Sequence, residues 1–200
     1  MMRRTVIFDL GGVYFGDGTR IAIDAIAAKY KIGRHAVADI LNGESGKEYR
    51  IGKISAEQFW QRAITHWNIQ ASSEALSRLW CSSYQADEGT VRLVDRLKNA
   101  GHELLYLSDN TRERVAYLDA RYSFLQKFDD GIFSHLVKLK KPDPAIYLLL
   151  LAKASHPAAA CIYIDDKPTY LEPAKKLGMR VIAFKNSSQL ENRLRELTLL

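Results

Sequence analysis

Thr5-Val6-Ile7-Phe8-Asp9-Leu10-Gly11-Gly12-Val13 decides the fold. Four largely apolar residues run straight into a carboxylate and two glycines. A short run without polar alternation reads as a strand buried on both faces, as in a parallel sheet. A carboxylate at the end of such a strand is costly to keep unless it is paired or has a task. The glycines let backbone and ligand approach it closely. In open α/β sheets the carboxyl edge is where ligands bind, so Asp9 is the first candidate catalytic residue, a nucleophile.

The first strand is read as residues 3–10. From Thr19 to about Ala86 the pattern is helical: Ile21, Ala25, Ile26 and Tyr30 recur at helix spacing, as do Val37, Ile40 and Leu41. Ser55-Ala56-Glu57-Gln58 is a capping box that opens a helix carrying Phe59, Ala63, Ile64 and Trp67. A further helix is expected from about Ser72 to Ser83. After Asp87 the period changes. Helices over 89–100, from 111, over 143–154, over 169–177 and from a cap at Ser188 alternate with strands over 103–107, 131–134, 161–164 and 180–184. Strands alternating with helices predict crossover connections and a parallel sheet. The fold class is therefore α/β: a Rossmann-like parallel sheet flanked by helices, with a helical cap inserted after the first strand. Residues 1–16 and 87–200 are expected to form the core, and 17–86 the cap, lying over the carboxyl edge of the sheet.

The chain has 200 residues, 47% hydrophobic and 26% charged, which suits one good core with a small accessory domain. The longest apolar run, Ala145 to Ala152, is too short to span a membrane. The basic start, Met1-Met2-Arg3-Arg4, runs into Asp9 and the glycines rather than a signal-peptide core, so a cytoplasmic location is expected. Cys81 and Cys161 form no CxxC pair and read as reduced structural thiols. The net charge of +6 suits an anionic ligand. The basic residues are dispersed, and the cluster Lys138-Leu139-Lys140-Lys141 lacks interleaved aromatics, which argues against nucleic acid.

Four polar features follow the carboxyl ends of four expected strands: Asp9, Ser108-Asp109-Asn110, Lys141-Pro142 and Asp165-Asp166. Each alone reads as a turn or cap. A parallel sheet lines all four along one edge. Together they hold what phosphoryl chemistry needs. A carboxylate can attack phosphorus and carry an aspartyl phosphate. A dianionic substrate repels that carboxylate, so a divalent cation is needed, and a few hard oxygen ligands suit Mg²⁺. Asp9, Asp166 and a backbone carbonyl are the expected ligands, with Asp165 assisting. Lys141 would neutralise phosphate and Asp9 charge together. Ser108, Asp109 and Asn110, with the backbone at Leu10 and Gly11, would hold the phosphate oxygens.

The stretches IFDLGGV, LYLSDN, KKPDPAIY and YIDDKPTYLEPAKKLGM, in that order, resemble the four motifs of the haloacid dehalogenase-like hydrolases. The likeness spans Asp9 to about Met179, and the helical insertion sits where that family carries a cap. The branch it most resembles includes bacterial sugar-1-phosphate phosphatases and the phosphatase domain of soluble epoxide hydrolase. The resemblance implies a Mg²⁺-dependent phosphatase with Asp9 as nucleophile, Ser108 and Lys141 on the phosphate, and Asp165 and Asp166 at the metal.

One position departs from the pattern. Most phosphatases of the family carry a second aspartate two residues after the nucleophile, as general acid and base, and here that residue is Gly11. Asp17 could stand in, although a turn role is its commoner reading. Two alternatives therefore stay open: a haloacid dehalogenase using the same Asp9, and a non-catalytic binding or regulatory protein. A phospho-receiver domain is excluded by motif order, since there the acidic pair comes first. Tyr49, Trp60, Trp67 and Trp80 read as cap core, and Arg50 as a solvated cap residue that could instead meet a second anionic group. Five histidines show no shared spacing. The expected partner is a small phosphorylated molecule; oligomeric state is not legible.

Overall fold

The computed structural model describes residues 3–200. Five strands form one sheet: β1 (Thr5–Phe8), β2 (Glu103–Ser108), β3 (Asp130–Phe133), β4 (Cys161–Asp165) and β5 (Arg180–Ala183). The order is β3-β2-β1-β4-β5 and every pairing is parallel. β1 is central and buried along its whole length, with Phe8 beside Tyr106 on one side and Ile164 on the other. The chain walks outward from β1 to β3, then returns to place β4 against the other side of β1. That reversal opens a crevice beyond the carboxyl ends of β1 and β4, the usual ligand position in such sheets.

Alternation along the strands sorts side chains to two faces. Ile7, Leu105, Leu107, Ile132 and Tyr163 pack against α9 (Pro144–Leu151) and α10 (Pro168–Lys176) through Ile146, Tyr147, Leu150, Leu171 and Ala174. Val6, Phe8 and Leu104 face α6 (Glu88–Asn99), α7 (Arg112–Tyr122) and α11 (Ser187–Glu196). A four-residue helix, α8 (Ser134–Val137), follows β3 directly.

Six helices lie between β1 and β2: α6 is preceded by α1 (Gly18–Tyr30), α2 (Arg34–Asn42), α3 (Glu44–Arg50), α4 (Ala56–Trp67) and α5 (Ser73–Ser82). The expected capping box is formed, Ser55 accepting from Gln58 N while the Gln58 side chain accepts from Ser55 N. Tyr49, Trp60, Trp67 and Trp80 are buried and pack as core, Tyr49 stacking on Phe59 at 4.7 Å and Trp60 meeting Trp80 edge-on at 5.7 Å. This packing is continuous with the apolar cluster on the β1–β2 face. Among the described residues no helix is long and apolar enough to cross a membrane. Cys81 and Cys161 are free thiols and buried.

Some boundaries differ from the sequence reading. β1 stops at Phe8, although Asp9 N still donates to Ile164 O at 2.9 Å, so the ladder carries Asp9 one step past the strand. Ser134 opens α8 instead of closing β3, and the 143–154 helix ends at Leu151. The last helix is capped by Asn186, which accepts from Gln189 N, two residues before the expected cap at Ser188.

The amino end of the sheet carries a titratable anchor. His102 is buried; its Nδ1 accepts from Arg4 N at 3.2 Å and its Nε2 meets Leu199 O at the same distance. Burial holds its pKa below the ordinary 6.5, so the folded state favours the neutral ring. The unfolded chain then binds more protons as pH falls below about 6.5, and stability declines there, by up to ~1.4 kcal/mol per pH unit for one full proton. Between pH 7.5 and 5 the wild-type denaturant midpoint is expected to fall relative to that of His102→Gln, and the difference between the two isolates this one group.

Candidate active site

Asp9 sits just beyond β1, 5% exposed, and Lys141 is buried beside it. Lys141 Nζ lies 2.8 Å from an Asp9 oxygen and 2.7 Å from an Asp165 oxygen. The ammonium also lies 4.8 Å from the centre of the Tyr170 ring. Asp165 is fully buried and holds three donors: Lys141 Nζ, Lys167 N at 2.9 Å and the Tyr163 hydroxyl. The Lys141 backbone N–H donates to an Asp109 carboxylate oxygen at 3.1 Å, which ties the lysine's loop to the end of β2.

Asp166 completes the group. One oxygen from each of Asp9, Asp165 and Asp166 lies within 4.8 Å of the others. Asp166 Oδ1 is buried with no hydrogen-bond partner among the described residues. A native structure rarely strands a buried carboxylate oxygen without an ion or water to satisfy it. Burial, and then the charges of Asp165 and Asp166, push the Asp9 carboxyl up, to about 7, against the pull of Lys141. Burial and Asp165 raise Asp166 in the same direction. Three clustered carboxylates facing one ammonium are thus short of positive charge, and their hard oxygens fit a divalent cation such as Mg²⁺.

Gly12 makes room for this arrangement. Its φ is +100°, and a Cβ there would lie 2.7 Å from the Asp166 carboxyl carbon. Gly12→Ala is therefore expected to cost about 1–2 kcal/mol from backbone conformation alone and to displace Asp166. Chemical denaturation should show that loss as a lower urea midpoint with an unchanged slope. At Gly11 a Cβ would meet nothing nearer than a Tyr84 ring carbon at 3.6 Å, an ordinary contact.

A cavity of about 600 Å³ opens beside Asp9, walled on the sheet side by Ser108, Asp109, Asn110 and Lys141 and on the helix side by Asp17, Thr19 and Arg50. Ser108 is buried at the end of β2 and lines the cavity. Burial raises the Asp109 pKa. The Asn110 side chain is already engaged: Oδ1 accepts from Thr111 N and Arg114 Nε, and its backbone N–H donates to Ser134 Oγ. Leu10 can offer a ligand its backbone alone. Its side chain is fully buried in the apolar cluster and its carbonyl accepts from Phe15 N at 2.7 Å, so only its backbone N–H remains for a ligand. Asp17 is a turn residue that caps α1, accepting from Arg20 N at 3.1 Å, and it also faces the cavity.

Sequence reading missed Tyr84 and Arg114 and misplaced Arg50. Arg114, 2% exposed, donates to the Tyr84 hydroxyl at 2.9 Å and the Asp109 carbonyl at 3.2 Å. Arg50 is drawn inward to line the cavity rather than solvated on the helix surface. The only sequence signal was Arg114's place in the first turn of a helix that opens at the sheet's carboxyl edge.

A family model described as haloacid dehalogenase-like hydrolase matches residues 3–178. A haloacid dehalogenase-like hydrolase domain-containing protein of Arabidopsis thaliana is 31% identical over 133 residues, covering 64% of this chain and 41% of that protein. The chain thus spans less than half of that relative. A sesquiterpene phosphatase of Aspergillus oryzae is 25% identical over 178 residues, covering 88% of this chain and 87% of the relative. An enzyme of the same family from Bacteroides thetaiotaomicron, solved with magnesium and inorganic phosphate, superposes with a TM-score of 0.77 at 17% identity, covering 92% of this chain and 96% of that one. The L-2-haloacid dehalogenase of Xanthobacter autotrophicus shares the fold at a TM-score of 0.67 and 17% identity, covering 100% and 85%.

Proposed function

The chain belongs to the haloacid dehalogenase-like hydrolases, and from that membership we propose that it is a Mg²⁺-dependent phosphatase acting on a small phosphorylated metabolite, such as a sugar phosphate. The observation that carries this reading is the unsatisfied, buried Asp166 oxygen beside Asp9 and Asp165. A dehalogenase attacking carbon with Asp9 would leave that oxygen stranded. Phosphoryl transfer gives it a cation to hold.

In the proposed reaction an Asp9 oxygen bonds to phosphorus as the ester P–O bond breaks, leaving an aspartyl phosphate and a free alcohol. Water then attacks phosphorus, releasing inorganic phosphate and regenerating the carboxylate. Lys141 fixes the Asp9 oxygen it holds and offsets charge on the transferring group. Ser108 faces the same cavity and is assigned to a phosphate oxygen. Asp9, Asp165, Asp166 and the Gly11 carbonyl are assigned to Mg²⁺, which when bound neutralises the repulsion between Asp9 and a dianionic phosphoryl group. Gly11 supplies no carboxyl, so cavity water protonates the leaving oxygen. General acid help is worth ~10²–10⁴-fold, and turnover is correspondingly slow. Residues 17–86 are assigned to a substrate-selecting cap on a core of residues 1–16 and 87–200.

The test is release of p-nitrophenol from p-nitrophenyl phosphate. Turnover is expected with Mg²⁺, with loss on chelation and recovery when Mg²⁺ is restored. Hydrolysis that ignores the chelator would refute the metal assignment. Chloride release from 2-chloropropionate, with no action on any phosphate ester, would replace the phosphatase with a dehalogenase.

A further inference from the structure

Two arginines line the cavity without a carboxylate partner. Arg114 is buried, and its recorded contacts are all neutral: Asn110 Oδ1, the Tyr84 hydroxyl and the Asp109 carbonyl. Arg50 has one recorded side-chain hydrogen bond, to Leu41 O at 2.8 Å. Neither forms a salt bridge among the described residues, whereas most surface arginines of this chain do. Both guanidiniums approach the same ring, their central carbons 5.2 Å and 4.8 Å from the centre of Trp80. A buried cation without an anion is expensive, and two sharing one ring repel each other. Burial, and next the Arg114 charge, hold the Arg50 pKa below its ordinary value.

The packing holds Arg50 at this position. Ser134 Oγ donates to the Arg50 carbonyl at 2.6 Å, and Lys138 Nζ donates to the Gly52 carbonyl at 2.6 Å. One residue before Arg50, the Tyr49 hydroxyl donates to Glu113 at 2.7 Å. The end of α3 is thus pinned to residues that follow β2 and β3, which fixes the Arg50 backbone beside the cavity. Lys47, Lys140 and Lys167 add positive charge to the same wall, against Asp9, Asp17 and Asp109. The phosphoryl position already has Lys141. The arginine pair therefore serves a different group.

We propose that Arg50 and Arg114 form a second oxyanion site in this cavity, so that the substrate is a small phosphomonoester bearing a further carboxylate or phosphate. A planar guanidinium presents paired donors matched to either group, and contact with the Trp80 ring restrains both. The assignment rests on the phosphatase reading for which anion is hydrolysed, and on the cavity's own charge for the second.

The test uses two matched series: ω-phosphooxy alkanoic acids of two to six carbons, and alkyl phosphates of the same lengths. At the best length, kcat/KM for the acid is expected to exceed that for the alkyl phosphate by about 30-fold, the worth of a charged hydrogen-bond pair. In Arg50→Met and in Arg114→Met that ratio should fall below about 3, and Arg50→Lys should restore part of it. A wild-type ratio near one at every length, or a ratio unmoved in both methionine variants, overturns the proposal. Calorimetric binding to Asp9→Asn with Mg²⁺ separates this from the parent reading. Tighter binding of the acids that depends on Arg50, without turnover of either series by the wild type, keeps the oxyanion site and removes the phosphatase. Brisk hydrolysis of both series without preference does the reverse.

Discussion

Asp9→Asn is expected to lower kcat on p-nitrophenyl phosphate by about 10⁴-fold or more, because the amide cannot form the acyl phosphate on which both half-reactions depend. Loss of a nucleophile is distinguished from loss of fold by stability. Lys141 keeps Asp165 as a partner at 2.7 Å, and the amide oxygen of the variant can still accept from it. Asp9 ionises reluctantly where it stands, its carboxyl pushed up to about 7 chiefly by burial. Replacing it with a neutral group of the same shape removes one of three crowded carboxylates. The variant should therefore unfold at the same denaturant concentration as the wild type or a higher one. A residual rate within 10-fold of wild type would transfer the nucleophile's role elsewhere. An unchanged rate with markedly weaker Mg²⁺ dependence would leave Asp9 as a metal ligand only.

What could be read from the sequence divides along a physical line. Asp9, Ser108 and Asp165-Asp166 stand at or just past the ends of strands of a parallel sheet, and that geometry sends strand ends to one edge whatever their separation in the chain; Lys141, expected directly after a strand, reaches the same edge only after α8 and the loop that follows it. Periodicity alone therefore located the sheet edge and the acidic group. Leu10 has an apolar side chain that belongs to the core, and its carbonyl is taken by Phe15 N, so its backbone N–H alone is left for a ligand. Arg50, Tyr84 and Arg114 meet through the packing of α3 and the segment after α5 against α7, around Trp80. No spacing rule relates residues 50, 84 and 114. Their helices carry ordinary amphipathic patterns, in which an arginine usually points to water. A cavity wall assembled by packing leaves no such mark in the sequence, which is why the sheet edge is more legible in the chain than the wall that faces it.

Lys141→Met should be the most destabilising change at the site. The lysine is 1% exposed and lies between Asp9 and Asp165. Methionine fills the space and removes the charge, so Asp9 and Asp165 both lose the ammonium they share, and Asp165 keeps only the Lys167 N–H and the Tyr163 hydroxyl. Breaking a buried pair on one side typically costs about 3–5 kcal/mol, and here one cation serves two anions. The loss should appear as a lower urea midpoint with an unchanged slope, and as a kcat reduced about 10³-fold in the fraction that stays folded. Mg²⁺ should recover part of the stability, since a cation near Asp9 and Asp165 replaces some of the missing charge. Lys141→Arg tests shape separately from charge. The ammonium sits 4.8 Å from the Tyr170 ring and 6.0 Å from the Tyr163 ring. A planar guanidinium is longer and cannot put one compact charge between both carboxylates as an ammonium does, so arginine should restore little of either stability or rate. Full rescue by arginine would mean that positive charge alone matters at this position, and that the single ammonium shared by two carboxylates is not what holds Asp9 ready to attack.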